Sequence, residues 1–159
     1  MGSKKYSLQP LVEVRRDKAD VAKRELSTKI REREAQQQEL ANARARTVDH
    51  ADTTQATKDA ERVALEQGAL RAVDLFRQSA WEMERQRQAE ALVYAEKRIA
   101  EALIVASQAE DDSRAATAQR LGELEAVERD RARFLERERK VALAKEEEAA
   151  EEAWRPRSE

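Results

Sequence analysis

The chain has no cysteine, one histidine, two prolines and three glycines, and only 4% of its 159 residues are aromatic. The missing cysteine excludes a disulfide framework and a thiolate metal site. His50 has no second histidine at metal-ligand spacing, so it reads as a surface residue. A globular domain of this length would hold many more turn formers. No glycine-rich phosphate loop is present. No apolar run approaches the roughly 20 residues of a membrane span. The opening "MGSKKYSLQP" lacks an apolar signal core. The expected location is the cytoplasm, with no membrane insertion.

What the chain does have is charge. Lys and Arg number 31, Asp and Glu 33, and the net charge is −2. The signs are interleaved, whereas a nucleic-acid binder needs a basic stripe, so no nucleic-acid partner is expected. High charge with low hydropathy is also the composition of disorder. Here the dominant residues (Ala, Glu, Arg, Leu, Gln and Lys) are the strongest helix formers, which points to long helix. Much of the apolar content is alanine, so a thick core is out of reach.

An apolar seam runs Leu8, Val12, Arg15, Ala19, Ala22, Leu26, Ile30, Arg33, Gln37 and Leu40. Steps of three and four alternate, the signature of a coiled coil, with one stutter. A second seam reads Leu70, Val73, Phe76, Ala80, Met83, Arg87, Ala91 and Tyr94. It continues through Ile99, Leu103, Ala106, Ala116, Leu124, Val127, Phe134 and Val141. Pro10 suits a first helical turn, and Pro156 is expected to close the second helix.

Two stretches could reverse the chain: "VDHADTTQATKD" (48–59), rich in helix competitors, and the surroundings of Gly68. A reversal at Gly68 sets Ile30 against the apolar run "ALIVA" (102–106) and Val12 and Leu8 against Leu124 and Val127. A reversal near residue 53 leaves that run unpaired. The expected fold is therefore all-α: an antiparallel coiled-coil hairpin spanning 1–159, with helix 1 about 10–65, the turn about 66–70 and helix 2 about 71–154. Proline at Gly68 is expected to be tolerated. Gly122 should cost about 1 kcal/mol unless it admits a close partner helix. At 1.5 Å per residue the arms are unequal, roughly 85 and 125 Å, leaving the stretch "RDRARFLERERKVALAKEEEAAEEAW" (129–154), with Phe134, unpaired.

The stretches "LQPLVEVRRDKADVAKREL", "AVDLFRQSAWEMERQ" and "LEAVERDRARFLERERKVALAKEEEA", with a glycine-containing turn, resemble the FliJ/YscO family over nearly the whole chain. Members of that family are central stalks of flagellar and type III secretion export ATPases and look like the coiled coil of a rotary ATPase γ subunit. The resemblance implies a stalk that inserts into the hexameric export ATPase and touches the cytoplasmic ring of the export gate, peripheral to the inner-membrane apparatus. It implies an ATPase contact of Arg15, Arg16, Arg133, Phe134, Arg137, Arg139 and Lys140. It places a gate contact at Leu40, Ala43, Phe76, Ala80 and Met83. Secretion chaperones are further candidate partners. Where flagellar members carry tyrosines on the first helix, this chain has Arg46 and His50.

Read without the resemblance, Phe76, Met83 and Tyr94 are seam residues and the arginine-rich tail is a solvated face. Glu146, Glu147 and Glu148 are adjacent, so they fan around the helix and form no acid/base pair. Neither enzyme activity nor a cofactor is expected. A monomeric ATPase stalk and a self-associating scaffold remain as function classes. Sedimentation separates them: an elongated monomer is expected of the stalk, a concentration-dependent dimer of the scaffold.

Overall fold

In a computed structural model, residues 5–154 are described. The chain forms two helices, α1 (Gln9–Glu66) and α2 (Ala72–Trp154), packed antiparallel. Pro156 lies outside the described residues. Two compact units arise along the pair: a turn unit, Thr28–Asp111, and a terminal unit holding α1 up to Ser27 and α2 from Asp112 onward.

The turn unit is organised by the end of α1. The Ala69 N–H donates to the Ala64 carbonyl (2.9 Å) and the Gly68 N–H to the Leu65 carbonyl (3.0 Å). With Gly68 at φ +65°, this is the Schellman arrangement that satisfies the last carbonyls of a helix. α2 then starts on a cap, in which the Arg71 N–H donates to the Asp74 carboxylate (2.9 Å). That carboxylate also sits at the positive end of the α2 dipole. The reversal is at Gly68, but proline there is excluded, contrary to the sequence expectation. It would fix φ near −65° and remove an N–H that is hydrogen-bonded.

Segment 48–59 is helix. Its threonine hydroxyls donate one turn back: Thr53 to the Asp49 carbonyl (2.9 Å), Thr54 to His50 (2.6 Å) and Thr57 to Thr53 (2.9 Å). The groups that compete with a helix elsewhere are here absorbed by it.

The inward face of α1 follows the sequence seam closely. Val12, Ala19, Ala22, Leu40 and Ala43 are buried, and Arg15, Leu26, Ile30 and Arg33 are half-buried. Leu8 and Gln37 are exposed, and Gln36 turns inward instead. The first part of α2 departs from the expectation. Val73, Phe76, Ala80, Met83, Arg87, Ala91 and Tyr94 all point to solvent, while Asp74, Gln78, Trp81, Arg85, Ala89 and Leu92 face α1. From Ile99 onward the seam is as read, through Leu103, Ala106, Leu124, Val127 and Phe134, with Ala116 and Val141 exposed.

The register is also displaced. Lys58 pairs with Glu82 (3.7 Å) and Arg44 with Glu96 (3.3 Å). That is about one turn further along α2 than the reversal centred on Gly68 implies. Of the "ALIVA" run only Leu103 and Ala106 turn inward, and Ile104 and Val105 are each 69% exposed.

Two glycines should answer oppositely to the same change. A Cβ meets nothing within 4 Å at either Gly68 or Gly122, so only the backbone decides. Gly68→Ala forces a left-handed alanine and should destabilise by about 1 kcal/mol. Gly122→Ala, in mid-helix, should stabilise by about 0.5–1 kcal/mol. Urea denaturation of the two variants checks both signs.

Candidate functional site

The residues assigned to ATPase contact fall in the terminal unit and divide into two sets. Arg15 forms an ion pair with Glu123, and Arg16 with Glu128 (2.8 Å), so both tie α1 to α2. The Phe134 ring packs on Tyr6 with centroids 5.3 Å apart. The Tyr6 hydroxyl donates to Asp130 (2.6 Å), and that bond raises the phenol pKa. Phe134 is therefore covered by the segment that leads into α1, against its expected place in an unpaired overhang. The reason is that the segment before α1 reaches far enough to cover it.

The second set is solvated. Arg133, Arg137, Arg139 and Lys140 are exposed. Arg137 donates to the Arg133 carbonyl (3.4 Å), and Lys140 pairs with Glu136 (3.0 Å), both within α2. Glu138 is the last half-buried residue. Every residue from 139 to 154 is exposed, including Val141, Leu143 and Trp154. This extension, basic at its start (Arg139, Lys140) and acidic toward its end (Glu146, Glu147, Glu148, Glu151, Glu152), with exposed apolar side chains between and exposed Leu135 bordering it, is the candidate docking element of the terminal unit.

The five gate-assigned residues do not form one surface. Leu40 and Ala43 are buried in the helix pairing of the turn unit. Phe76 is 81% exposed and Met83 58%, with exposed Ala80 between them on the opposite side of α2. Their spacing of four and three residues lines them up on one face. They are surface residues, and the reading of them as seam is overturned.

Behind this face lies a residue that the sequence reading passed over. Arg85 points inward and donates to the hydroxyls of Thr53 (2.7 Å) and Thr54 (3.0 Å) and to the His50 carbonyl (3.4 Å). Its guanidinium also stacks over Trp81 at 5.7 Å. The clue was available: threonines on α1 and an arginine on α2 fall opposite one another once the turn is placed. His50 itself is half-buried, and its Nε2 is out of water without a partner, so it is no surface histidine. Among the described residues no group of three or more His, Asp or Glu is placed to hold a metal ion. None of the described helices is long and apolar enough to cross a membrane.

In the turn unit, Glu110 is buried and its carboxylate accepts from Arg33 Nε (2.9 Å). In the terminal unit, burial alone would raise the Glu123 pKa. A hydrogen bond from Arg120 (3.2 Å) and the charge of Arg15 outweigh it and hold that pKa below the usual carboxylate range. A depressed folded pKa means that the contribution to stability is complete above the unfolded value, about 4.3, and is lost as pH falls through the folded one. Glu123→Gln should therefore lower Tm at pH 7, with the difference from the parent chain closing below about pH 4. A Tm series over pH 3 to 8 checks this.

Surface and seam should also separate by stability. Leu40→Ala should cost about 2 kcal/mol, whereas Phe76→Ala should stay within about 0.5 kcal/mol. Chemical denaturation distinguishes the two. No known protein family, curated protein or solved structure matches the chain.

Proposed function

We propose that the chain is a non-catalytic stalk of a hexameric export ATPase, of the kind that the FliJ/YscO resemblance implies, joining the ATPase to the export gate. The observation that carries the reading is the α2 extension, 139–154, which is exposed throughout and opens with Arg139, Lys140, Val141 and Leu143. The start of this helix, with Arg133, Arg137, Arg139 and Lys140 beside Leu135 and Val141, suits contact with an acid-lined, partly apolar pore, while its glutamate-rich end, from Glu146, does not enter that contact. The ATPase contact narrows to Arg133, Arg137, Arg139 and Lys140, with Leu135 and Val141 as apolar anchors. Arg15, Arg16 and Phe134 support the helix pair from within. The gate contact narrows in the same way to Phe76, Ala80 and Met83.

Approach would be electrostatic and therefore sensitive to salt, since exposed ion pairs are each worth about 1 kcal/mol or less and are screened beyond about 10 Å at 0.1 M. Removing residues 139–159 should leave the helix pair folded, because Tyr6, Phe134 and Glu138 all remain. It should abolish stimulation of the cognate ATPase. The measurement is ATPase rate against stalk concentration at low and high ionic strength, with circular dichroism as the folding control. A truncated chain that is fully helical up to residue 138 and still stimulates the ATPase would sink the proposal.

A further inference from the structure

α2 carries two stripes in the turn unit, and only one of them is used. Trp81, Ala89, Leu92 and Leu103 face α1. At 100° per residue, Val73, Phe76, Met83, Tyr94 and Val105 fall on roughly the opposite side. These five are 58–81% exposed. The outward stripe keeps its three-and-four spacing from residue 73 to 105, longer than the three to four heptads that identify a coiled-coil seam. Exposed apolar side chains that recur on one face over such a length mark a contact.

We infer that this outward face of α2 is where a second copy of the chain docks, antiparallel, about a two-fold axis at the level of residue 89 on the side away from α1. The charge pattern selects that occupant. In the antiparallel register centred there, Val73 lies opposite Val105 of the second copy and Arg77 opposite Glu101, while Met83 and Arg87 fall within one residue of Tyr94 and Glu90. The two-fold repeats each pairing once. A parallel, in-register pair instead sets Arg87 against Arg87 and Glu101 against Glu101 in the middle of the seam. Arg87 and Arg98 interrupt the apolar stripe, so the association is reversible and dependent on concentration.

The inference concerns the free chain: the proposed ATPase-contact residues Arg139 and Lys140 lie outside the stripe, whereas the proposed gate-contact residues Phe76, Ala80 and Met83 lie within it. Where the inference and the stalk reading both hold, Phe76 and Met83 serve two occupants, and the second copy must leave before a partner binds. The monomer expected of a working stalk is then the partner-bound state.

The absence of cysteine makes single-cysteine variants of the full chain direct reporters. A disulfide needs Cα atoms within about 7 Å. Val73→Cys mixed with Val105→Cys should cross-link under mild oxidation, and Val73→Cys alone should not. In sedimentation, the parent chain should pass from monomer to dimer with concentration. Arg77→Glu/Arg87→Glu and Glu90→Arg/Glu101→Arg should each weaken the dimer about tenfold or more, and mixing the two should restore it. The cysteine pair keeps the test decisive should a charge variant fail to fold. Efficient self-linking by Val73→Cys, or a parent chain that is monomeric at every concentration, would overturn the inference. The stalk reading is scored separately by ATPase stimulation.

Discussion

Among the described residues alanine supplies three of the five buried apolar side chains, and that scarcity of bulk governs everything else in the two units. Helices that meet through Ala19, Ala22 and Ala43 gain little unless their backbones come close. At that separation a side chain on one helix reaches the main chain of the other. The Thr117 hydroxyl does so in the terminal unit, shared between the Ser113 carbonyl on its own helix (2.8 Å) and the Ala22 carbonyl on α1 (3.1 Å). A leucine at position 22 would push the strand of contacts apart and lose that bond.

Apolar burial of this size leaves the choice of register to polar groups. In the turn unit the near-complete burial of Glu110 is tolerable only where a cation faces it, and Arg33 is that cation. Buried charge without its partner is costly, so a slip of one turn is disfavoured even where apolar contacts would survive it. Nearer the turn, Arg85 has the same office, bridging Thr53, Thr54 and His50 on α1. In the terminal unit the ties are Arg15 to Glu123 and Arg16 to Glu128. Specificity is thus spread along the seam in ionic and hydroxyl contacts, while the closing glycine needs only to turn the chain.

This division explains what could be read from the sequence. The α1 seam was legible because its apolar residues lie on one side only. The first part of α2 was not, because its outward stripe is the more apolar of the two. Asp74, Gln78 and Arg85 do not look like an interior, yet they face Glu61, Thr54 and His50, which are no more apolar. Periodicity locates two faces on such a helix, and polarity then picks the wrong one as inward. The same inversion moved Phe76, Ala80 and Met83 from seam to surface, while Leu40 stayed inside and Ala43, expected at the gate contact, joined it there. The position of the turn was visible in Gly68, but the sign of its φ is a conformational fact that composition does not carry. Phe134 was misplaced for a simpler reason: Tyr6 precedes the helix, and periodicity has nothing to say about a residue outside one.

The extension beyond Glu138 has a consequence for how stability is observed. Because 139–154 continue a helix already nucleated by the paired part of α2, they are held, among the described residues, only by propagation, whose gain per residue is close to zero in water. Residues 139–154 therefore unwind from their free end at almost no cost, while the paired residues hold to the cooperative transition. Heating will lower the far-UV ellipticity gradually, long before the midpoint, and amide protons in the extension will exchange near their intrinsic rates. Calorimetry, which registers mainly the burial that is lost, will see a single later event, and the two methods will disagree on this protein by the helical content of one unsupported end.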